Sequence, residues 1–337
     1  MQRLRRLGWL IALGAIIGIA LLISRWVMPL HTGTARTNTG LRPGQGSADW
    51  HAPSLDSLPD NDQGRLIRYG HELIVNTAYY LGPRGRVAVL SNGMNCGNCH
   101  IEGGTRPFGN CFSAVAANYP SLRYRSGRIE SIEYRVNDCL LRSLNGRPLD
   151  SLSQEMRAIV AYLTWLGSGV PLHTRPRGAG LEELPYLDRA ADTARGRRIY
   201  MARCTTCHGP DGAGLLRPDS LGYTYPPLWG PNSFNTSAGM YQLSRFSAYI
   251  KYNMPFGLAS RDKPALSDQE AWDVAAYVNS RPRPVKRFAG DWPDLDRKPV
   301  DYPFGPYRDT FPASQHKYGP FGPILAARRQ LRGDPKK

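Results

Sequence analysis

The chain has 337 residues, of which 41% are hydrophobic, and a formal net charge of +16. This length suits two domains of ordinary size, and the apolar content supports a normal core, so global disorder is excluded. The sequence lacks the repeats and long apolar runs of collagen, a coiled coil or a multi-span membrane protein. The excess charge, mostly arginine, indicates a nucleic acid, a membrane surface or a small anion as partner.

Residues 1–30 are predicted to be a signal-anchor or a signal peptide. Three arginines in the first six residues precede an apolar run from Leu7 to Ile23, which Arg25 ends. The run is long for a signal peptide and short for a spanning helix, so an uncleaved anchor and a cleaved signal both stay open. Either one places the rest of the chain outside the cytoplasm. Residues 31–60, rich in Gly, Pro, Ser and Thr, are expected to form a flexible tether.

One pattern of helix, short motif and helix occurs twice. In the first copy an amphipathic stretch from Gly64 to Tyr80 precedes Cys96-Gly97-Asn98-Cys99-His100, and a helical stripe over Ser151 to Leu166 closes the copy. The second copy has a helix over Thr193 to Arg203, then Cys204-Thr205-Thr206-Cys207-His208.

The closing helix of the second copy is predicted over Ser267 to Ser280. Capping boxes are expected where both closing helices begin, at Ser151 with Gln154 and at Ser267 with Glu270. The repeat predicts a first domain, a linker, a second domain and an irregular C-terminal extension packed over both, with the boundaries 61–170, 171–190, 191–284 and 285–337.

Each Cys-x-x-Cys-His motif predicts one covalently bound haem c. The two cysteines form thioether bonds to the haem, and the adjacent histidine coordinates its iron. Half a zinc site and a redox dithiol are the alternatives. A second ligand pair at zinc-finger spacing is missing, and a histidine follows both cysteine pairs, so these alternatives fit poorly. The residues expected to hold the two haems are Cys96, Cys99 and His100, and Cys204, Cys207 and His208.

The segment after the second motif, His208-Gly209-Pro210-Asp211-Gly212, resembles small class I cytochromes c. This resemblance implies an all-α fold of two class I cytochrome c-like domains in tandem. In such domains the second iron ligand is usually a methionine on the loop before the last helix. Met254 occupies that place, 46 residues after His208. Met240 is the other candidate, but it lies in a helix predicted from about Ser237 and is expected to fill the core.

The first copy has no methionine in the corresponding loop. It has Cys139 instead, 39 residues after His100. Cys139 as an iron ligand, an inert buried Cys139 and a Cys111–Cys139 disulfide all stay open from the spacing. A thiolate ligand lowers the haem potential and a methionine raises it, so electrons would run from the first haem to the second. That asymmetry suits an oxidase of a small molecule more than a plain electron carrier.

Five arginines surround Cys139 in sequence, and their planar forks suit oxyanions. A solvated surface is the simpler interpretation for three of them, Arg123, Arg128 and Arg142. Arg125 and Arg135 are expected to bind substrate. Arg135 and Ser143 each lie four residues from Cys139, so a helix would bring both to its face.

The run from Asn95 to Leu149 resembles the thiosulfate dehydrogenases, periplasmic dihaem cytochromes c that join two thiosulfates into tetrathionate. The resemblance extends over about residues 60 to 325, and its segments are Asn95–His100, Gly103–Phe108, Pro120–Arg125, Arg135–Cys139, Arg142–Gly146, Ile250–Pro255 and Gln315–Phe321. It implies that Cys139 is an iron ligand with a part in catalysis. It also implies that Arg125, Arg135 and Ser143 lie beside the haem that Cys139 ligates.

The resemblance implies a periplasmic enzyme that oxidises thiosulfate to tetrathionate, with the reverse reaction at the same site. Its partners would be these anions, an external acceptor such as a small cytochrome c, and the membrane through the N-terminal segment. A tethered dihaem electron carrier is the main alternative, and it predicts methionine ligation of both haems. Motifs of nucleic-acid binders are absent from the sequence. Asn253 stands where some family members have lysine beside the methionine, so a Lys/Met ligand exchange is not expected.

Overall fold

Helices make up most of the regular structure in residues 50–332, the part of the chain that the computed structural model describes. The predicted N-terminal anchor and most of the tether lie outside these residues. In chain order the helices are α1 (Asp62–Val75), α2 (Thr77–Leu81), α3 (Ile101–Gly104), α4 (Val115–Asn118), α5 (Ile132–Arg142), α6 (Gln154–Leu166), α7 (Thr193–Arg203), α8 (Thr205–His208), α9 (Leu243–Asn253), α10 (Asp268–Ser280), α11 (Ala313–Tyr318) and α12 (Gly322–Arg332). None of those within residues 50–332 has the length and apolar content needed to cross a bilayer.

The first and last helices of each copy pack across each other, α1 on α6 and α7 on α10. A glycine lies at each crossing. A Cβ atom on Gly70 would lie 2.0 Å from the carbonyl oxygen of Ala158, and one on Gly196 would lie 1.9 Å from that of Asp273. The two backbones can approach this closely because neither glycine has a side chain. The two copies therefore repeat in three dimensions as well as in sequence.

One of the two predicted capping boxes is present. The hydroxyl of Ser267 accepts a hydrogen bond from the backbone N–H of Glu270, and the Glu270 carboxylate accepts one from that of Ser267. The box at Ser151 was wrong. Ser153 caps α6 instead, since a turn from Asp150 to Ser153 delays the start of the helix.

Two short antiparallel hairpins add a little sheet to the helical fold. The strands are β1 (Ser121–Arg123) with β2 (Arg128–Glu130), and β3 (Leu215–Leu216) with β4 (Tyr223–Tyr225). The first hairpin precedes α5 directly. It carries part of the arginine-rich segment. The mostly helical fold class is confirmed, with these hairpins as an addition.

The C-terminal extension had been expected to be irregular, but part of it is helical. Residues 313–318 and 322–332 form α11 and α12, and Phe321 and Ile324 pack into the core. His316 is completely buried. Its Nδ1 donates to the Val300 carbonyl at 2.6 Å, and its Nε2 lies 2.9 Å from Asp309 Oδ1. Tertiary contacts of this kind stabilise a helix as short as α11.

The second copy packs directly on the motif of the first. The hydroxyl of Tyr249 on α9 donates to the carbonyl oxygen of Asn98, between Cys96 and Cys99, at 2.9 Å. At the end of the same helix, Asn253 Nδ2 donates to the carbonyl oxygen of Phe108 at 3.1 Å. Helix α9 therefore connects the motif of the first copy to the loop that carries Met254.

Candidate functional site

Each of the two Cys-x-x-Cys-His motifs forms a single helical turn. The backbone N–H of His100 donates to the carbonyl oxygen of Cys96 at 2.9 Å, and that of His208 donates to the carbonyl of Cys204 at 3.0 Å. This winding holds the histidine and both cysteines of each motif close together, as attachment of one flat group requires.

A cavity of about 390 Å³ opens beside the second motif. Cys204, Cys207 and His208 line it, as does Met254. Its remaining wall is mainly apolar and includes Tyr200, Leu228, Phe234, Phe246, Ile250, Leu266, Val274 and Val278. Cys99 and Ile101 from the first copy also reach this cavity, so the two motifs border a common space.

The hydrogen bonds of the two motif histidines through Nδ1 leave the Nε2 lone pair for a metal, and in His100 the side-chain amide nitrogen of Asn110 lies 3.4 Å from Nε2. His208 Nδ1 donates to the Pro226 carbonyl at 2.9 Å, and His100 Nδ1 donates to the Asn110 carbonyl at 2.6 Å. A carbonyl only accepts, so Nδ1 carries the proton and Nε2 keeps its lone pair. Burial lowers the pKa of His208 and lowers that of His100 to about 4, which favours the neutral form that binds iron.

The motif cysteines do not have the character of a redox dithiol. Burial raises the pKa of Cys96 to about 11, that of Cys99 to about 12 and that of Cys204 to about 11. Reactive dithiols have lowered thiol pKa values. Buried thiols beside an apolar cavity, together with a histidine oriented through Nδ1, fit a covalently attached haem.

Both candidate methionines of the second copy lie at the cavity wall. Met254 follows α9 directly, in extended backbone, while Met240 lies in a 3-10 turn from Gly239 to Tyr241. The helix predicted from Ser237 was therefore wrong, because α9 begins only at Leu243. Met240 is 8% exposed and belongs to the hydrophobic core, in agreement with its expected packing role.

The lysine nearest to Met254 in sequence is engaged elsewhere. Lys251 Nζ lies 2.8 Å from Asp268 Oδ1, the first residue of α10. Asn253, beside the methionine, donates to the carbonyl oxygens of Phe108 and Tyr249.

In the first copy, Cys139 lies near the motif cysteines. It projects from α5, and its charge contributes to the raised pKa of both Cys96 and Cys99. Cys111 and Cys139 are not joined to each other, so the disulfide alternative is not realised. Cys111 is buried, with Sγ 3.9 Å from the carbonyl oxygen of Thr105.

Arg135 contacts the Cys139 sulfur directly. Its Nη1 atom lies 3.1 Å from Cys139 Sγ and 3.2 Å from Asp138 Oδ2. The charge of Cys139 is the main cause of a raised Arg135 pKa. The predicted helix-face proximity of Arg135 and Cys139 is thus present. Ser143 ends the same helix, and its backbone N–H donates to the Cys139 carbonyl at 2.8 Å.

Arg125 lies in the turn between β1 and β2. Its Nη1 donates to the carbonyl oxygen of Ser237 at 3.1 Å, and its guanidinium carbon lies 5.5 Å from the centre of the Trp292 ring. Burial and the nearby Arg142 lower the pKa of Arg125. Arg125 therefore joins the first copy to the second copy and to the C-terminal extension.

Arg142, expected to be a solvated surface residue, is buried. Its guanidinium donates to Asp291 through two bonds of 2.6 and 2.7 Å, and its Nε donates to Asp138. The same carboxylate of Asp138 accepts from Arg135. This chain of ion pairs connects the C-terminal extension to the Cys139 sulfur.

Sequence reasoning missed two residues near Cys139. Tyr119 interacts electrostatically with Cys139 and Arg135, and burial raises its pKa. Arg245 on α9 acts on His100 together with Arg135. Both are far from Cys139 in sequence, and no motif singles them out.

Family models match both copies. Residues 193–282 match the cytochrome c family, and residues 88–172 match the cytochrome c domain of SoxA/TsdA. These matches confirm two cytochrome c domains in tandem and two covalently bound haem c groups.

The chain is 39% identical to a thiosulfate dehydrogenase of Allochromatium vinosum over 237 residues, which are 69% of this chain and 84% of the relative. It is 36% identical to that of Stutzerimonas stutzeri over 241 residues, 72% of this chain and 75% of the relative. A solved structure of thiosulfate dehydrogenase (TsdBA) from Marichromatium purpuratum has a TM-score of 0.65 and 32% identity. That match covers 74% of this chain and about half, 52%, of the other. The chain therefore belongs to the thiosulfate dehydrogenase family.

Proposed function

We propose that this protein oxidises two thiosulfate ions to tetrathionate at the Cys139 side of the first haem. The observation that carries the proposal is the contact between Arg135 and the Cys139 sulfur, inside a cluster of further arginines. Family membership supports thiosulfate as the substrate.

The reaction joins the outer sulfur atoms of two thiosulfates. One S–S bond forms, two electrons leave, and no proton is transferred. Both substrates are dianions, so they repel each other as they approach. Arg135 and Arg125 would offset this repulsion and orient the sulfonate oxygens. Ser143, on the same helix face as Cys139, would provide a neutral hydrogen-bond donor.

Cys96, Cys99 and His100 would hold the first haem with Cys139 as the second iron ligand. Cys204, Cys207 and His208 would hold the second haem with Met254 as its ligand. When bound, the two haems supply one-electron redox centres, with electron entry at the low-potential Cys139 end and exit at the Met254 end. The hydrogen bond from Tyr249 to the carbonyl oxygen of Asn98 joins the second domain to the motif of the first.

The basic and apolar N-terminal sequence supports a location in the periplasm, with residues 1–30 as the membrane tether or as a cleaved signal. An external redox protein such as a small cytochrome c would then take the electrons.

The test replaces Cys139 by Met or Gly and measures haem reduction by thiosulfate under anaerobic conditions. We expect normal haem content with thiosulfate-dependent reduction abolished. Cys111→Ala is the matched control, because Cys111 is the other cysteine outside the two motifs, and it should keep the wild-type rate. Retained turnover in Cys139→Met would contradict the proposal, because the reaction would then not depend on Cys139.

A further inference from the structure

Arg245 brings a charge from the second domain to the first haem motif. It lies in the first turn of α9, and with Arg135 it acts electrostatically on His100. The other arginines that act on it are Arg123, Arg125 and Arg175. Guanidinium groups from the first domain and from the linker therefore lie close to Arg245 of the second domain.

Arg125 and Arg245 both lie beside the backbone segment Ser237–Gly239. Arg125 donates to the carbonyl oxygen of Ser237. A Cβ atom built on Gly239 would lie 3.9 Å from Arg245 Nε, with no other side chain as near. The two guanidinium groups thus border the same short stretch of backbone.

Among residues 50–332, Arg245 makes no hydrogen bond and no ion pair, while Arg135, Arg125 and Arg175 each donate to a protein acceptor. Its side chain is exposed to solvent, yet the surrounding protein and the neighbouring arginines lower its pKa to about 10. A dissolved anion can therefore reach this guanidinium.

The acidic groups nearby are already engaged. Asp138 accepts from Arg135 and Arg142, and the buried Glu130 accepts from the hydroxyl of Ser126. Like charges held together without a counter-charge destabilise the fold unless an anion binds among them. The exposed Arg245 guanidinium, on the same backbone segment as Arg125, therefore suits a doubly charged oxyanion.

We propose that Arg245 binds the sulfonate oxygens of thiosulfate, so that the second domain completes the substrate site of the first haem. This inference rests on the proposed function. The coupling reaction needs a second dianion beside the first, and an unpaired guanidinium opposite Arg135 stabilises that approach. The site therefore exists only when both domains are docked.

The experiment compares wild type, Arg245→Gln, Arg245→Lys and the control Arg197→Gln, which removes an exposed arginine from the same domain. Steady-state rates are measured against thiosulfate concentration at constant ionic strength, and the haem potentials are measured without thiosulfate. We expect Arg245→Gln to raise the KM about ten- to a hundredfold, because a charged hydrogen bond is lost. Arg245→Lys should recover part of the loss, and the haem potentials of both variants should match those of the control.

A KM within twofold of wild type in Arg245→Gln overturns the inference. A raised KM accompanied by an altered haem potential also overturns it, since it assigns Arg245 to a haem propionate. Absence of thiosulfate oxidation by the wild-type protein instead rejects the proposed function itself.

Discussion

The guanidinium of Arg142 and the carboxylate of Asp291 form a two-bond ion pair between residues 149 positions apart. Both side chains are about nine-tenths buried. Nearby, the backbone N–H of Trp292 donates to the carbonyl oxygen of Arg125 at 2.6 Å. The C-terminal extension thereby holds both the hairpin that carries Arg125 and the helix that carries Cys139.

Asp291→Asn should lower the free energy of unfolding by about 3 kcal/mol, since it leaves the buried charge of Arg142 partly unpaired. Catalytic efficiency with thiosulfate should fall as well, because Arg142 also orients Asp138 beside Arg135. Chemical denaturation and initial rates would measure the two effects. Asp188→Asn, which removes an exposed carboxylate, should change neither. Equal stability of the two variants would refute the structural role of this pair.

Arg135→Gln should reduce kcat/KM for thiosulfate about 100- to 1000-fold, in the range found when one donor to a charged transition state is removed. Arg135→Lys should restore only part of the activity, because lysine keeps the charge but lacks the planar guanidinium that pairs with an oxyanion through two bonds. Arg147→Gln, at an exposed site, provides the control. Wild-type kinetics in Arg135→Gln would exclude Arg135 from the substrate site.

Met254→Leu and Met240→Leu form a matched pair at one cavity. The first should remove the sulfur ligand of the second haem and lower its potential, while the second should leave the spectrum and potential unchanged. Both changes nearly conserve volume, so the core should tolerate them. Spectroelectrochemical titration distinguishes them, and the opposite pattern would assign the ligand to Met240. Lys251→Met should also leave the second haem unaltered, because Lys251 pairs with Asp268.

The buried cluster around Asp309 predicts a pH dependence of stability. Burial acts to raise the Asp309 pKa, but hydrogen bonds from His316 and Arg328 outweigh it and lower that pKa below 3.8. The stabilisation is therefore fully present above about pH 4 and is lost as the pH falls through the pKa of the folded state. Asp309→Asn should cost about 3 kcal/mol at neutral pH.

The difference in unfolding temperature between wild type and Asp309→Asn should shrink as the pH falls from 5 to 3. Asp188→Asn serves again as the exposed control. A difference that is constant over this range would show that the carboxylate charge of Asp309 does not contribute.

Sequence reasoning reached the helices that carry strong local signals. The predicted helix over Thr193–Arg203 became α7 with the same ends, and the capping box at Ser267 is present because both of its partners lie within one turn. Both helices of the C-terminal extension were missed. Helix α11 is short and is held by packing around His316, whereas α12 is amphipathic, a signal that the sequence analysis overlooked. The wrong start near Ser151 has a similar cause, since two serines compete and the turn at Asp150 favours Ser153.

The sequence by itself determined the haem chemistry. A Cys-x-x-Cys-His motif places its three reactive groups within one turn of backbone, so spacing alone specifies their geometry. Only the tertiary structure decided what surrounds Cys139. The pairing of Arg142 with Asp291 and the approach of Arg245 depend on how the domains and the C-terminal extension pack. No local periodicity encodes contacts between side chains more than 100 residues apart.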